Sequence, residues 1–259
     1  MAIAKVFHRL HLGNGPVHRQ TLQWDEELLK LNPDWKIRYW RPSDLPPMRN
    51  REIFELSKNI GHRSDIARYE LLYQEPGVYC DWDLDPRAPM PSLDGVSAFA
   101  GSIRPFPYGG INIETEIAIL GAEAGHPFYE YLLDNLTPWF FLNINHDAAR
   151  RTGPHFFHTM LEEWMLLHPT DHGVTLFPPP VFYPVIPDER ANAWKPHHGS
   201  CMVHHFWATW INGATNGGRQ MVDEPIARAA MRRLLGFSRD AMSSTATPTP
   251  TGSRESLPA

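Results

Sequence analysis

The sequence predicts an α/β fold, a Rossmann-like mixed sheet flanked by helices, and three observations carry that expectation. The N-terminal part runs strand, glycine loop, helix, strand through "AKVFHRLHLGNG", "PVHRQTLQWDEELLKLNP" and "WKIRYW", an order that builds parallel strands with helices packed on their faces. Beyond it, apolar runs of strand length keep alternating with longer segments of helical pattern as far as "CMVHHFW". The chain has 259 residues, 42% of them apolar and 20% charged, which is enough to bury a sizeable core in a single domain.

Each element has a local reason. The first strand runs into a loop holding Gly13 and Gly15, and the helix after it is closed by Asn32 and Pro33. The glycine loop lacks the lysine of a phosphate-binding loop, so it marks a strand end and no more. "REIFELSKN" and "SDIARYELLYQEPG" read as two helices, the second stopped near Pro76 and Gly77, and a strand follows directly. Further strands are expected at "VSAFAGS", "EIAILGA", "VTLFP" and "CMVHHFW". Helices are expected at "HPFYEYLLDNL", at "PHFFHTMLEEWMLL" with Pro154 in its first turn, and at "PIARAAMRRLLG" with Gly236 as C-cap. Residues 243–259, rich in Ser, Thr and Pro, have almost nothing to bury and read as a disordered tail.

Composition narrows the function. A net charge of -5 with scattered basic residues leaves no footprint for nucleic acid. The two cysteines, Cys80 and Cys201, each sit in an apolar run, so there is no disulfide framework, and a reducing cytoplasm is the expected location. No stretch approaches the ~18 apolar residues of a membrane span, so no transmembrane segment is expected, although peripheral contact with a membrane stays open.

The chemistry concentrates in "GVYCDWDLDP", residues 77–86. If the strand continues through it, Asp81, Asp83 and Asp85 project from one face with neighbours ~7 Å apart. Such carboxylates either run out into solvent or share a cation. An EF-hand loop fails, because its glycine and glutamate positions would be Pro86 and Ser92. A haloacid-dehalogenase-like phosphatase would need a downstream lysine, and the only one after Lys58 is Lys195. A glycoside hydrolase needs its two carboxyl groups on opposite sides of a sugar, whereas these point the same way. A sugar transferase, in which a divalent ion held by the pair neutralises a leaving diphosphate, fits better. In "SDIAR", Asp65 and Arg68 are three apart on a helix and can act on one ligand or simply pair with each other. His155 and His158 have helical spacing, but no third zinc ligand is placed by any known pattern.

The 25 residues "HRSDIARYELLYQEPGVYCDWDLDP" resemble glycosyltransferase family 32, the DxD sugar-binding-motif class, whose pattern is Ser-Asp-x-x-Arg, a helix, then Gly-x-Tyr-x-Asp-x-Asp. Pro76-Gly77 stands where the family has Gly-Gly, and His11, in the opening "KVFHRLHLG", stands where an aromatic residue is usual. "TGPHFFHTMLEE" and "VHHFWATW" resemble two later family segments, so the likeness runs from about Lys5 to Trp210.

The resemblance implies a GT-A type fold in one domain over residues 1–242, with a nucleotide-sugar-binding half over 1–110 and an acceptor-side half over 111–242. It implies a metal-dependent, retaining hexosyltransferase that moves a sugar from a nucleoside-diphosphate sugar to a hydroxyl of a glycan or glycolipid, as in polysaccharide biosynthesis. Catalysis would fall to Asp65, Asp81 and Asp83, and donor binding to Asp65, Arg68, Asp81, Asn112 and Trp210. Mn²⁺ or Mg²⁺ would be held by Asp83, Asp81 and His205, chosen over the adjacent His204. Asp85 reads as a solvated carboxylate or one that supports the site from behind. The alternatives are a haloacid-dehalogenase-like or glycoside hydrolase, and a sugar-nucleotide-binding protein without catalysis.

Overall fold

The computed structural model describes residues 2–105 and 113–207, all within one compact unit, Met1–Val222. Strand β1 (Val6–Leu10) is flanked on both sides. It pairs in parallel with β2 (Lys36–Trp40) and, on its other edge, with β3 (Gly77–Cys80). Helix α1 (Arg19–Leu31) makes the crossover from β1 to β2, while α2 (Arg51–Leu56) and α3 (Ile60–Gln74) lead back across β1 to β3. The chain therefore leaves β1 in one direction and returns on the other side. That reversal of strand order is the place where open α/β sheets bind ligands, beyond the carboxyl ends of the strands.

The sheet is mixed. Strand β3 pairs antiparallel with β6 (Ile113–Ala122), β6 antiparallel with β5 (Ala98–Pro105), and β5 parallel with β7 (Val174–Phe177), giving the order β2-β1-β3-β6-β5-β7. A separate two-stranded ribbon joins β4 (Leu84–Pro86) to β8 (Met202–His204). Helices α4 (Pro127–Leu142), α5 (Ala148–Arg151) and α6 (Pro154–Leu167) cover the middle of the chain, and a short α7 (Pro179–Phe182) packs on β5 and β8. The expected Rossmann-like mixed sheet flanked by helices is the architecture found.

Two buried polar residues of β1 have specific partners. His8 is buried, accepts a hydrogen bond at Nδ1 from Trp40 Nε1 (3.1 Å) and faces the Pro76 carbonyl with Nε2 (3.3 Å). Those two contacts suit the neutral ring with its proton on Nε2. Arg9 is buried beside Asp25 of α1, with Nε 3.0 Å from Oδ1. The apolar core, including Phe7, Leu28, Val78, Phe99 and Ile119, fills the space around these pairs.

Three boundaries differ from the sequence expectation. The strand at Val78–Cys80 stops at Cys80 and the chain turns at Trp82 and Asp83, so Asp81, Asp83 and Asp85 do not share one face. Arg9 draws that turn inward by donating to the carbonyls of Cys80 (3.3 Å) and Asp81. Helix α3 begins at Ile60, before "SDIAR", because Asn59 accepts from the Gly61 N–H at 2.6 Å and caps it. Asp65 and Arg68 consequently lie inside the helix rather than at its start. Helix α4 runs through Pro138 to Leu142, since burial of Leu136, Phe140 and Phe141 outweighs the lost N–H bond. The expected helix at "PIARAAMRRLLG" and the tail 243–259 lie outside the described residues.

Candidate active site at the strand-order switch

A cavity of about 760 Å³ opens where β1 and β3 end. Its floor comes from the ends of these strands, Leu10 and His11 on one side and Asp81 to Asp83 on the other. The glycine loop forms one rim, Asp65 and Arg68 of α3 reach in from a second side, and Glu116 of β6, His204 of β8 and Trp207 complete the wall. The residues come from distant parts of the chain, so the pocket exists only once the sheet is assembled.

Arg68 organises one half. Its Nη2 lies 3.0 Å from Asp65 Oδ1 and 3.4 Å from Asp81 Oδ1, and its Nη1 donates to the Ile117 carbonyl at 2.8 Å. Burial works against the cation, but Asp81, Tyr79 and Asp65 around it raise its affinity for the proton above the ordinary value. Asp65 also accepts from the Thr152 hydroxyl at 2.9 Å. Burial nevertheless pushes its carboxyl up to about 7, with Arg68 and Thr152 pulling the other way. Tyr79 donates its hydroxyl to Asp81 Oδ1.

The other half is built on Asp83. Its Oδ1 lies 3.2 Å from His204 Nε2 and its Oδ2 accepts from the Trp207 N–H at 2.7 Å. Burial would raise its pKa, but the His204 charge and these hydrogen bonds outweigh it and bring Asp83 down to about 2. His204 is itself raised by Asp83, against the effect of burial, and its Nδ1 is buried without a partner. Asp81, Asp83 and His204 each offer a ligand atom, all within 4.8 Å of one another. Two carboxylate oxygens and one imidazole nitrogen are donors that suit Mn²⁺, and a divalent ion would relieve the crowding of the two carboxylates.

A comparison with known protein families matches the part of the chain that carries Asp65, Arg68, Asp81 and Asp83. Residues 19–100 match the family described as "Glycosyltransferase sugar-binding region containing DXD motif". The chain is a glycosyltransferase with a DXD sugar-binding region. An uncharacterized glycosyltransferase of Acanthamoeba polyphaga mimivirus is 23% identical over 184 residues, covering 65% of this chain and 68% of the relative. Among solved structures, the PaToxG glycosyltransferase aligns with a TM-score of 0.47 and 18% identity, over 62% of this chain and 70% of that one. A glycosyltransferase involved in glycosylation of the major capsid of PBCV-1 aligns with a TM-score of 0.49 and 10% identity, over 80% and 95%.

Within this glycosyltransferase, Asp65, Arg68, Asp81 and Asp83 of the sequence reading come together in one cavity. The choice of His205 is corrected. His204 faces Asp81 and Asp83, whereas His205 is buried with its Nε2 3.2 Å from Asp85. His204 is the last residue of β8, opposite Leu84 of β4, and His205 falls just past the strand end. Asp85 is not solvated either, since it is buried between His205 and Arg87. Asn112 and Trp210 lie outside the described residues; among those described, Trp207 is the tryptophan of that C-terminal segment at the cavity wall.

Sequence reasoning missed Glu116. It lines the cavity from β6, takes a hydrogen bond from the Ile117 N–H at 2.8 Å, and its carboxyl is raised by burial, against the pull of His204. Glu114 and Glu116 are two apart and share a face of β6 by parity, so nothing in "IETEIAIL" tells which of them reaches the cavity.

Proposed function

We propose that this glycosyltransferase is a metal-dependent, retaining enzyme of the GT-A type. It would move a sugar from a nucleoside-diphosphate sugar to a hydroxyl of a glycan or glycolipid. The observation that carries the reading is the meeting of Asp81, Asp83 and His204 at the strand-order switch. These three residues would hold a divalent cation, Mn²⁺ being favoured by the imidazole. When bound, such an ion neutralises charge on a diphosphate leaving group. The retaining outcome rests on the family resemblance alone.

The chain's own residues divide the remaining work. Arg68 presents a fixed cation on the donor side, and Asp65, with its oxygens already engaged by Arg68 and Thr152, presents a rigid acceptor for sugar or ribose hydroxyls. Asp81 is held on three sides. Tyr79 and Arg68 engage its carboxylate, and Arg9 its carbonyl, so little reorganisation remains when a ligand arrives. Trp82 and Trp207 line the cavity and would shield a bound donor from water.

The test is a thermal-shift screen of UDP-, GDP- and dTDP-sugars with Mn²⁺ or with EDTA. A donor at 100 times its Kd stabilises by about 2.7 kcal/mol. One nucleotide class should raise the melting temperature only with metal, and Asp83→Asn should lose that shift together with nearly all transfer while keeping the wild-type fold. Full metal-dependent transfer by Asp83→Asn would overturn the role of Asp83.

A further inference from the structure

Three tryptophan rings surround the histidine that the site does not use. The His205 ring lies 4.9 Å from Trp24 in a stacked arrangement and 4.1 Å from Trp194. Its other edge is fixed by Asp85, which pairs in turn with Arg87. Trp24, on the inner face of α1, is also 5.3 Å from Trp207 and 6.1 Å from Trp194. Three indoles thus form a row leading from Trp207, whose backbone N–H donates to Asp83, through buried Trp24 to Trp194, which is 58% exposed.

The row starts at the cavity wall, which Trp207 lines. His18 is exposed, lines the cavity and meets the Trp207 ring edge-on at 5.1 Å. We propose that the exposed face of Trp194 is a binding platform for a sugar ring of the acceptor, placed beyond the residue that accepts the transferred sugar. The inference rests on the transferase reading above and adds to it the class of acceptor, an oligosaccharide chain rather than a single small alcohol.

The chemistry favours that occupant. A pyranose has an apolar C–H face that an indole can cover and a rim of hydroxyls that needs polar neighbours. Asp188, Glu189, Arg190 and Lys195, near Trp194 in the chain, are all exposed and offer polar groups of that kind. Wedged against His205, the Trp194 ring has little rotamer freedom left to lose on binding. A second copy of the chain is a poor fit, because a stable interface buries roughly 800 Å² per partner. Among the described residues, Trp194 is the only large apolar side chain exposed between Val174 and Trp207.

The experiment applies the full-length protein to an array of defined oligosaccharides, alone and with Mn²⁺ plus UDP, GDP or dTDP. Wild type should bind a subset of the oligosaccharides. Trp194→Ala should weaken that binding about ten-fold or more, and Trp194→Phe, which keeps an aromatic face, should restore most of it. Equal binding by wild type and Trp194→Ala would overturn the proposal, as would binding to no oligosaccharide, or a dimer seen by light scattering that Trp194→Ala abolishes. The Mn²⁺-dependent donor shift of the wild-type protein separates the two readings. A shift without oligosaccharide binding refutes the platform and keeps the transferase reading; binding without a shift does the reverse.

Discussion

Arg9 shows how a buried side chain governs a site it does not line. Its guanidinium pairs with Asp25 and holds the carbonyls of Cys80 and Asp81, while Thr21 of the same helix holds the Trp82 carbonyl at 2.9 Å. Removing one partner of a buried ion pair leaves the other charge unsatisfied, typically a loss of about 3–5 kcal/mol. Arg9→Met should therefore lower stability in urea by about 3 kcal/mol and weaken metal-dependent donor binding as the turn loosens. Retention of wild-type stability would show that the pair is not holding the turn. The sequence placed Arg9 in a strand and Asp25 in a helix but gave no sign that they meet, because a buried pair 16 residues apart leaves no local pattern. Asp65, Arg68, Asp81 and Asp83 were legible because their spacing carries a motif. His204 and Glu116 carry no such pattern, because they reach the cavity only through the assembly of strands far apart in the chain.

Among the elements, the turn into β3 is the most tightly specified. Gly77 has φ of +153°, and a Cβ there would lie 2.5 Å from His8 Nε2 and 2.6 Å from the Val6 carbonyl oxygen. The second contact is with backbone of the neighbouring strand, which cannot rotate away. Gly77→Ala should accordingly cost about 2 kcal/mol or more, read as a lower denaturation midpoint, through strain and a displaced β1–β3 pairing. A variant as stable as wild type would mean that the strands separate without penalty. This position is where the motif's Gly-Gly is reduced to Pro76-Gly77, and the retained glycine is the one the geometry requires. Helix α3 is a contrasting case. It is buried on nearly every side, so it lacks the amphipathic stripe that would have shown its true start at Ile60.

Across the whole molecule, buried histidines make stability depend on pH. Burial, offset in part by the Pro76 carbonyl and reinforced by Arg38, lowers His8 from 6.5 to about 4, and burial with Arg151 nearby lowers His62 to about 3. The unfolded chain takes up these protons near pH 6.5 and the folded chain only near pH 4 or below. The unfolded state therefore binds more protons in that window, and stability falls as pH drops from about 6.5 to 4. His8 alone accounts for a loss on the order of 3 kcal/mol when it is complete. Asp65, raised to about 7, acts in the opposite direction below that pH. The His8 share is isolated by comparing urea midpoints at pH 7 and 4.5 for wild type and His8→Gln, and the variant should show the shallower dependence. Parallel curves would mean that His8 is not neutral in the fold. No helix among the described residues is long and apolar enough to cross a membrane.

From sequence alone came the alternation of strands and helices, the aspartate motif and the class of chemistry it serves, because these rest on periodicity and on residues close together in the chain. Tertiary structure decided that β3 ends before Asp83, that His204 and not His205 faces the aspartates, and that Glu116 joins them. It also decided that Trp24, Trp194 and Trp207 stand in a row. Each of these depends on strand register and on contacts between residues far apart in sequence, and such distances are fixed only when the sheet closes around its core.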